Sequence, residues 1–136
     1  MRRAVAALAA AALALPLAGC GAEAPDLFEV VRSGDDRAAN VTMVVSDGGS
    51  VTCDGEEHAL DAKRLLRARE LERMLSEQAE LGIELPPGPG ANLSYRVRMD
   101  AGTVAFSDTS RRNPESFLAL AGFTKDVTER VCGIIR

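Results

Sequence analysis

The sequence predicts an α+β fold: a two-layer sandwich with an antiparallel sheet of about five strands and two helices on one face. Three observations point there. Short segments alternate apolar and polar residues, as half-buried strands do. Two longer segments repeat apolar residues at helical spacing. Turn residues rich in Gly and Asp separate these segments in the order strands, helix, strands, helix. Strict alternation requires one apolar and one wet face, which suits antiparallel strands covered on one side only.

Each element has its own reason. Leu27 to Arg32 reads as a first strand with Phe28 and Val30 on one face, followed by a polar loop from Ser33 to Ala39. Asn40 to Ser46 is a second strand, with Val41, Met43 and Val45 opposite Thr42 and Val44. Asp47-Gly48-Gly49 is a hairpin turn because glycine accepts positive φ. Ser50 to Cys53 returns as a short third strand.

Asp54, Glu56, Glu57 and Asp61 make the next stretch acidic, with His58 among them. Clustered carboxylates suit calcium, but the spacing is not that of an EF-hand loop. The simpler expectation is acidic residues at a helix start, where the macrodipole favours them. His58 reads as a surface or turn histidine. Asp61 to Leu81 is the clearest helix: Leu65, Ala68, Leu71, Leu75 and Ala79 form one stripe, Asp61 can cap it and Gly82 can end it.

The segment 82–92 holds Pro86, Pro87 and Pro89, so it cannot be regular helix and is stiff. It reads as a stiff connection or, alternatively, as an exposed recognition loop of the protease-inhibitor kind. Leu93 to Met99 alternates, with Tyr95, Val97 and Met99 inward and Arg96 and Arg98 outward. Asp100-Ala101-Gly102 turns the chain, and Thr103 to Ser107 returns with Val104 and Phe106 inward. Asn113-Pro114-Glu115 reads as a helix start with Asn as cap. The last helix runs to about Cys132, with Phe117, Leu120, Ala121, Thr124, Val127 and Val131 on its buried stripe. Gly122 lies inside it, weakens it by about 1 kcal/mol relative to Ala, and is a place for a kink. The two hairpins, Ser46 to Val51 and Met99 to Val104, are alike and are each followed by an Asp, at 54 and 108. Duplication of a ββα unit and shared turn chemistry both account for this.

The first 20 residues carry an address. Arg2 and Arg3 precede an uncharged run from Ala4 to Ala18, the length of a signal-peptide core and too short to span a bilayer. Pro16 breaks helix just before Leu17-Ala18-Gly19-Cys20. These four residues resemble the lipobox of bacterial lipoproteins at every position; an ordinary secretory signal, with Cys20 an incidental thiol, is the alternative. The resemblance implies cleavage after residue 19, a diacylglyceryl group on Cys20, and acylation of the new N-terminus. It implies a lipid anchor on the extracytoplasmic face of the cell membrane. The organisation is then 1–19 signal peptide, 20–26 tether and 27–136 a single domain. Composition and layout of the remainder resemble small lipoproteins of GC-rich bacteria, a likeness that assigns no role to any residue.

Removal of 19 of the 136 residues leaves 117, enough for one domain. Of three cysteines, Cys53 and Cys132 remain, and in an exported domain this pair reads as one disulfide. Loss of Arg2 and Arg3 takes the net charge from −4 to −6. That disfavours nucleic acid, which needs a basic stripe. It also disfavours a face that adheres to anionic lipid, leaving anchorage to the acyl chains. With no Trp, one Tyr and four Phe, the core must be mainly aliphatic.

No nucleophile elbow, zinc-protease helix, P-loop or dinucleotide glycine pattern is present. No cofactor or metal is implied, and nothing specifies an enzyme. The candidate working surface is the wet face of the sheet, where Arg96, Arg98, Thr42 and Thr103 would meet a protein or an anionic ligand. The functions compatible with the sequence are a membrane-anchored binding or interaction domain with an envelope protein as partner, a protease inhibitor using 82–92, or a small hydrolase with an unrecognised site.

Overall fold

A computed structural model describes residues 24–135. The leader, the lipobox, Cys20 and Arg136 lie outside the described residues. Six strands, Asp26–Gly34 (β1), Val41–Ser46 (β2), Ser50–Cys53 (β3), Glu56–Ala59 (β4), Leu93–Met99 (β5) and Gly102–Ser107 (β6), form one sheet in the order β4-β3-β2-β1-β5-β6. Every neighbouring pair is antiparallel. Two helices, Ala62–Glu80 (α1) and Glu115–Arg130 (α2), pack on one face. The predicted two-layer α+β sandwich is therefore the fold.

One strand more is present than expected. The acidic stretch after Cys53 is not a helix start. Asp54 and Gly55 both take positive φ (49° and 87°) and make a two-residue hairpin, which sends Glu56–Ala59 back along β3. The turn chemistry of Asp-Gly outweighs the macrodipole argument for Asp54, Glu56 and Glu57. Asp61 does cap α1, accepting from the Arg64 N–H at 3.0 Å. The first strand also begins one residue earlier than expected: β1 starts at Asp26, and the Pro25 carbonyl accepts from the Asp47 N–H at 2.9 Å.

The core lies between the layers. Phe28, Val30, Met43, Val45, Val51, Val97 and Val104 point inward from the sheet and meet Leu71 and Leu75 of α1 and Leu120 and Val127 of α2. Phe106 stacks on Tyr95 on one side and on Phe117 of α2 on the other, while Phe28 meets Phe123 edge-on. The stripe of α1 is buried as expected at Ala68, Leu71, Leu75 and Ala79, with Leu65 half-buried. Close to the end of α1, the chain of Gly102 passes so near that a Cβ there would sit 2.1 Å from the Ala79 carbonyl oxygen. Only glycine permits this contact between helix and hairpin.

Two local expectations for α2 change. Asn113 is not its cap: Pro114 takes that place without a side-chain hydrogen bond, and the Asn113 amide instead donates to the Ser107 carbonyl at 2.9 Å. The helix runs through Gly122 as one segment of 16 residues. Cys53, at the end of β3, is bonded to Cys132, just beyond α2, as the cysteine count predicted. The bond joins the two layers across 79 residues of chain.

Candidate functional site

The face of the sheet turned away from the helices carries all four predicted residues. In one cross-strand row Thr42 and Arg96 flank Val31, and in the next Arg98 stands between Glu29 and Thr103. Both arginines have acidic neighbours. Arg98 donates to Glu29 Oε2 at 3.2 Å, and Arg96 to Glu84 Oε1 at 3.5 Å. Pairs this exposed contribute on the order of 1 kcal/mol or less, so an incoming anionic group can replace either carboxylate.

The segment 82–92 turns half of this face into a trough. The Leu85 N–H donates to the Ala105 carbonyl at 2.8 Å, and the Ala105 N–H donates to the Ile83 carbonyl at 3.0 Å. The segment thus lies along the free edge of β6 as a short parallel bridge. Beyond it, Ser110 Oγ donates to the Pro86 carbonyl at 2.9 Å and Thr109 Oγ1 to the Gly88 carbonyl at 3.0 Å. Ser110 Oγ in turn accepts from the Ser107 N–H at 2.9 Å. The three prolines therefore belong to a strap held by hydroxyls. Its backbone at 83–85 is engaged with β6.

Between strap and sheet lies a hollow of about 370 Å³. Val31, Ala105, Leu85 and Pro87 give it apolar walls, Ser33, Ser94 and Ser107 supply hydroxyls, and Arg96 sits at its side. Val31, 38% exposed, adds an apolar side chain from the central strand β1. Arg96 was legible in the sequence as part of this surface. Leu85, Pro87 and the bracing hydroxyls of Ser107, Thr109 and Ser110 were not. The signal available was a hydroxyl run directly after a strand, opposite a proline segment with no other means of being held.

A second hollow, about 570 Å³, lies on the other side of the molecule between α1 and α2. Lys63, Arg64, Arg67, Arg130 and Asp126 line it over a floor of Ala119, Gly122 and Phe123. Its charges are largely matched already. Arg64 grips Asp126 with two nitrogens at 2.7 and 3.3 Å and also meets Asp61, Arg67 meets Glu70, and Arg130 meets Asp126. Hydrogen bonds from the Arg64 backbone N–H and then from its guanidinium hold the Asp61 carboxyl below its ordinary 3.8. The same two carboxylates, Asp126 first, raise Arg64 above its ordinary value. This cluster ties the helices together and leaves less for a ligand than the trough does.

His58 sits on the edge strand β4, 3.7 Å from Glu56. Among the described residues no three His, Cys, Asp or Glu side chains are grouped to share a metal ion. Among them, too, no helix is long and apolar enough to cross a membrane. The chain matches no protein-family model, no curated protein and no solved structure.

Proposed function

We propose that this protein is a membrane-anchored extracytoplasmic lipoprotein whose domain binds a segment of another envelope protein on its open sheet face. The lipobox at Leu17-Ala18-Gly19-Cys20 supports the anchor. The observation that carries the binding role is the strapped trough: an exposed Val31, apolar walls from Leu85 and Pro87, and Arg96 beside them. Such a combination suits an extended peptide with one apolar and one acidic side chain. The strap adds a wall that an ordinary solvated sheet lacks, and a hydroxyl network maintains it.

The trough lies away from the tether. Ala24 and Pro25 are docked at the hairpin end of the sheet, whereas Ser33, Ser94 and Ser107 stand near the opposite end. Strands of this length rise about 20 Å. A domain held at its hairpin end would present the trough to the envelope space.

A photo-cross-linking side chain at Ser94, in cells, tests the reading. One discrete adduct is expected, lost with Arg96→Glu and absent when the cross-linker is placed at Glu72 on the helix side. Diffuse labelling that is indifferent to Arg96→Glu would refute the binding site. Mass spectrometry of the mature N-terminus tests the anchor: a free thiol at Cys20 would refute it.

A further inference from the structure

We infer that the first half of α1 is the surface through which the domain rests on anionic lipid, an inference that builds on the anchor proposed at Cys20. The geometry of attachment comes first. Cys20 and Ala24 are four residues apart, so at most about 14 Å of chain separates the acylated residue from the domain. Ala24 packs against Gly48, with 3.0 Å between the Ala24 Cβ and the site of a Cβ on Gly48. The same hairpin touches α1: Arg69 Nε donates to Asp47 Oδ1 at 2.6 Å, and Leu65 lies against Gly49. The tether therefore ends beside the N-terminal half of α1, and a bilayer holding Cys20 is within reach of that half.

The charge pattern of the helix agrees. Residues 62–69 hold Lys63, Arg64, Arg67 and Arg69 and no acid, while 70–80 hold four glutamates and Arg73. A helix macrodipole favours the opposite order. The macrodipole does not account for this order, and an anionic surface suits it. Three of the four cations have carboxylate partners, Arg64 with Asp61 and Asp126, Arg67 with Glu70 and Arg69 with Asp47. Lys63 forms no ion pair among the described residues. The partners of Arg67 and Arg69 are themselves exposed enough for lipid phosphates to replace them. Leu66 projects among Lys63, Arg67 and Glu70 and is 64% exposed. A bulky apolar side chain flanked by two cations suits a headgroup boundary, with Glu70 already paired to Arg67. Net charge counted over the whole chain hides this asymmetry.

The test uses the protein purified from bacterial membranes, with Leu66→Cys or Arg111→Cys labelled by an environment-sensitive fluorophore. Arg111 follows β6 at the end of the sheet remote from the hairpin. Each is reconstituted into phosphatidylcholine vesicles with and without phosphatidylglycerol, both carrying a headgroup nitroxide quencher. Quenching at 66 is expected to exceed that at 111 by about twofold or more with phosphatidylglycerol, and to fall towards it in high salt. Lys63→Glu with Arg67→Glu should lower quenching at 66 and leave the protein in the membrane fraction. Equal quenching at 66 and 111 on a lipidated protein overturns the inference alone, as does quenching at 66 indifferent to phosphatidylglycerol. A mass spectrum showing Cys20 without lipid overturns the anchor and this inference with it.

Discussion

Thr109 and Gly88 approach so closely that no other residue fits at position 88. Thr109 Oγ1 donates to the Gly88 carbonyl at 3.0 Å, and a Cβ on Gly88 would stand 2.1 Å from the Thr109 backbone oxygen. The clash is with backbone, so it cannot be relieved by a side-chain rotation. Gly88→Ala is expected to push the strap off β6 at a cost of roughly 1–3 kcal/mol. The readout is local. Amide exchange at Leu85 and Ala105, whose hydrogen bonds join strap to sheet, should accelerate about tenfold or more, while Val30 and Met43 change little. Protection unchanged at Leu85 would show that the strap does not depend on this contact.

Arg32 behaves as a core residue. It is 2% exposed on β1, and its guanidinium donates to the Ala39 carbonyl at 2.7 Å, the Ala38 carbonyl at 3.2 Å and Thr128 Oγ1 at 3.3 Å. One side chain thus fixes the turn between β1 and β2 and joins it to α2. Arg32→Ala removes the donors from buried carbonyls and leaves a cavity, so a loss of about 3 kcal/mol or more is expected. Arg32→Lys should recover little of it, because an ammonium cannot reproduce the planar fork that reaches two carbonyls at once. Urea denaturation of both variants measures this; near-wild-type stability of Arg32→Lys would refute the geometric argument.

Most of the framework could be read from the chain because local and tertiary preferences agree. Alternation placed Val97 and Val104 inside and Arg96 and Arg98 outside, and the stripe from Ala68 to Ala79 marked the buried face of α1. Legibility failed where one rule competed with another. The acidic residues after Asp54-Gly55 mask its turn chemistry, so β4 resembles the approach to a helix. Arg32 occupies an inward position in the alternation of Phe28 and Val30, but an arginine at a strand end ordinarily marks solvent. Partners that hold it lie six to seven residues on and at position 128, beyond any local pattern. The candidate site was half visible for the same reason. Arg96, Arg98, Thr42 and Thr103 follow from parity along strands, whereas the strap depends on contacts 20 to 25 residues apart in sequence.

The disulfide joins the end of β3 to the segment after α2, where Val131, Cys132 and Ile134 also pack against the core. The Cys132 N–H donates to the Val127 carbonyl, and the Ile134 N–H to that of Thr128. A cross-link closing 79 residues restricts the unfolded chain strongly, by about 4 kcal/mol in the chain-entropy estimate. Cys53→Ala with Cys132→Ala should lower the unfolding free energy by that order, and reductant should lower the Tm of the wild type but not of the double variant. Equal Tm with and without reductant in the wild type would show that the bond contributes nothing to stability.

Asp61 links the start of α1 to the cluster between the helices. Its carboxylate accepts from the Arg64 N–H and from the Arg64 guanidinium, which in turn grips Asp126. These bonds favour the charged form, so the folded-state pKa lies below the ordinary 3.8. The sign follows from linkage: a carboxyl with a depressed folded pKa adds stability above the unfolded pKa, and that contribution fades as pH falls through the folded one. Wild-type stability should therefore decline below pH ~4 in part through this group. Asp61→Asn keeps an oxygen for the Arg64 N–H and removes the titration, so its acid limb should be shallower and its stability at neutral pH lower. Arg64 stays charged throughout and adds no pH dependence of its own. Carbon-detected NMR of the Asp61 carboxyl checks the direction; a midpoint above 3.8 would contradict it.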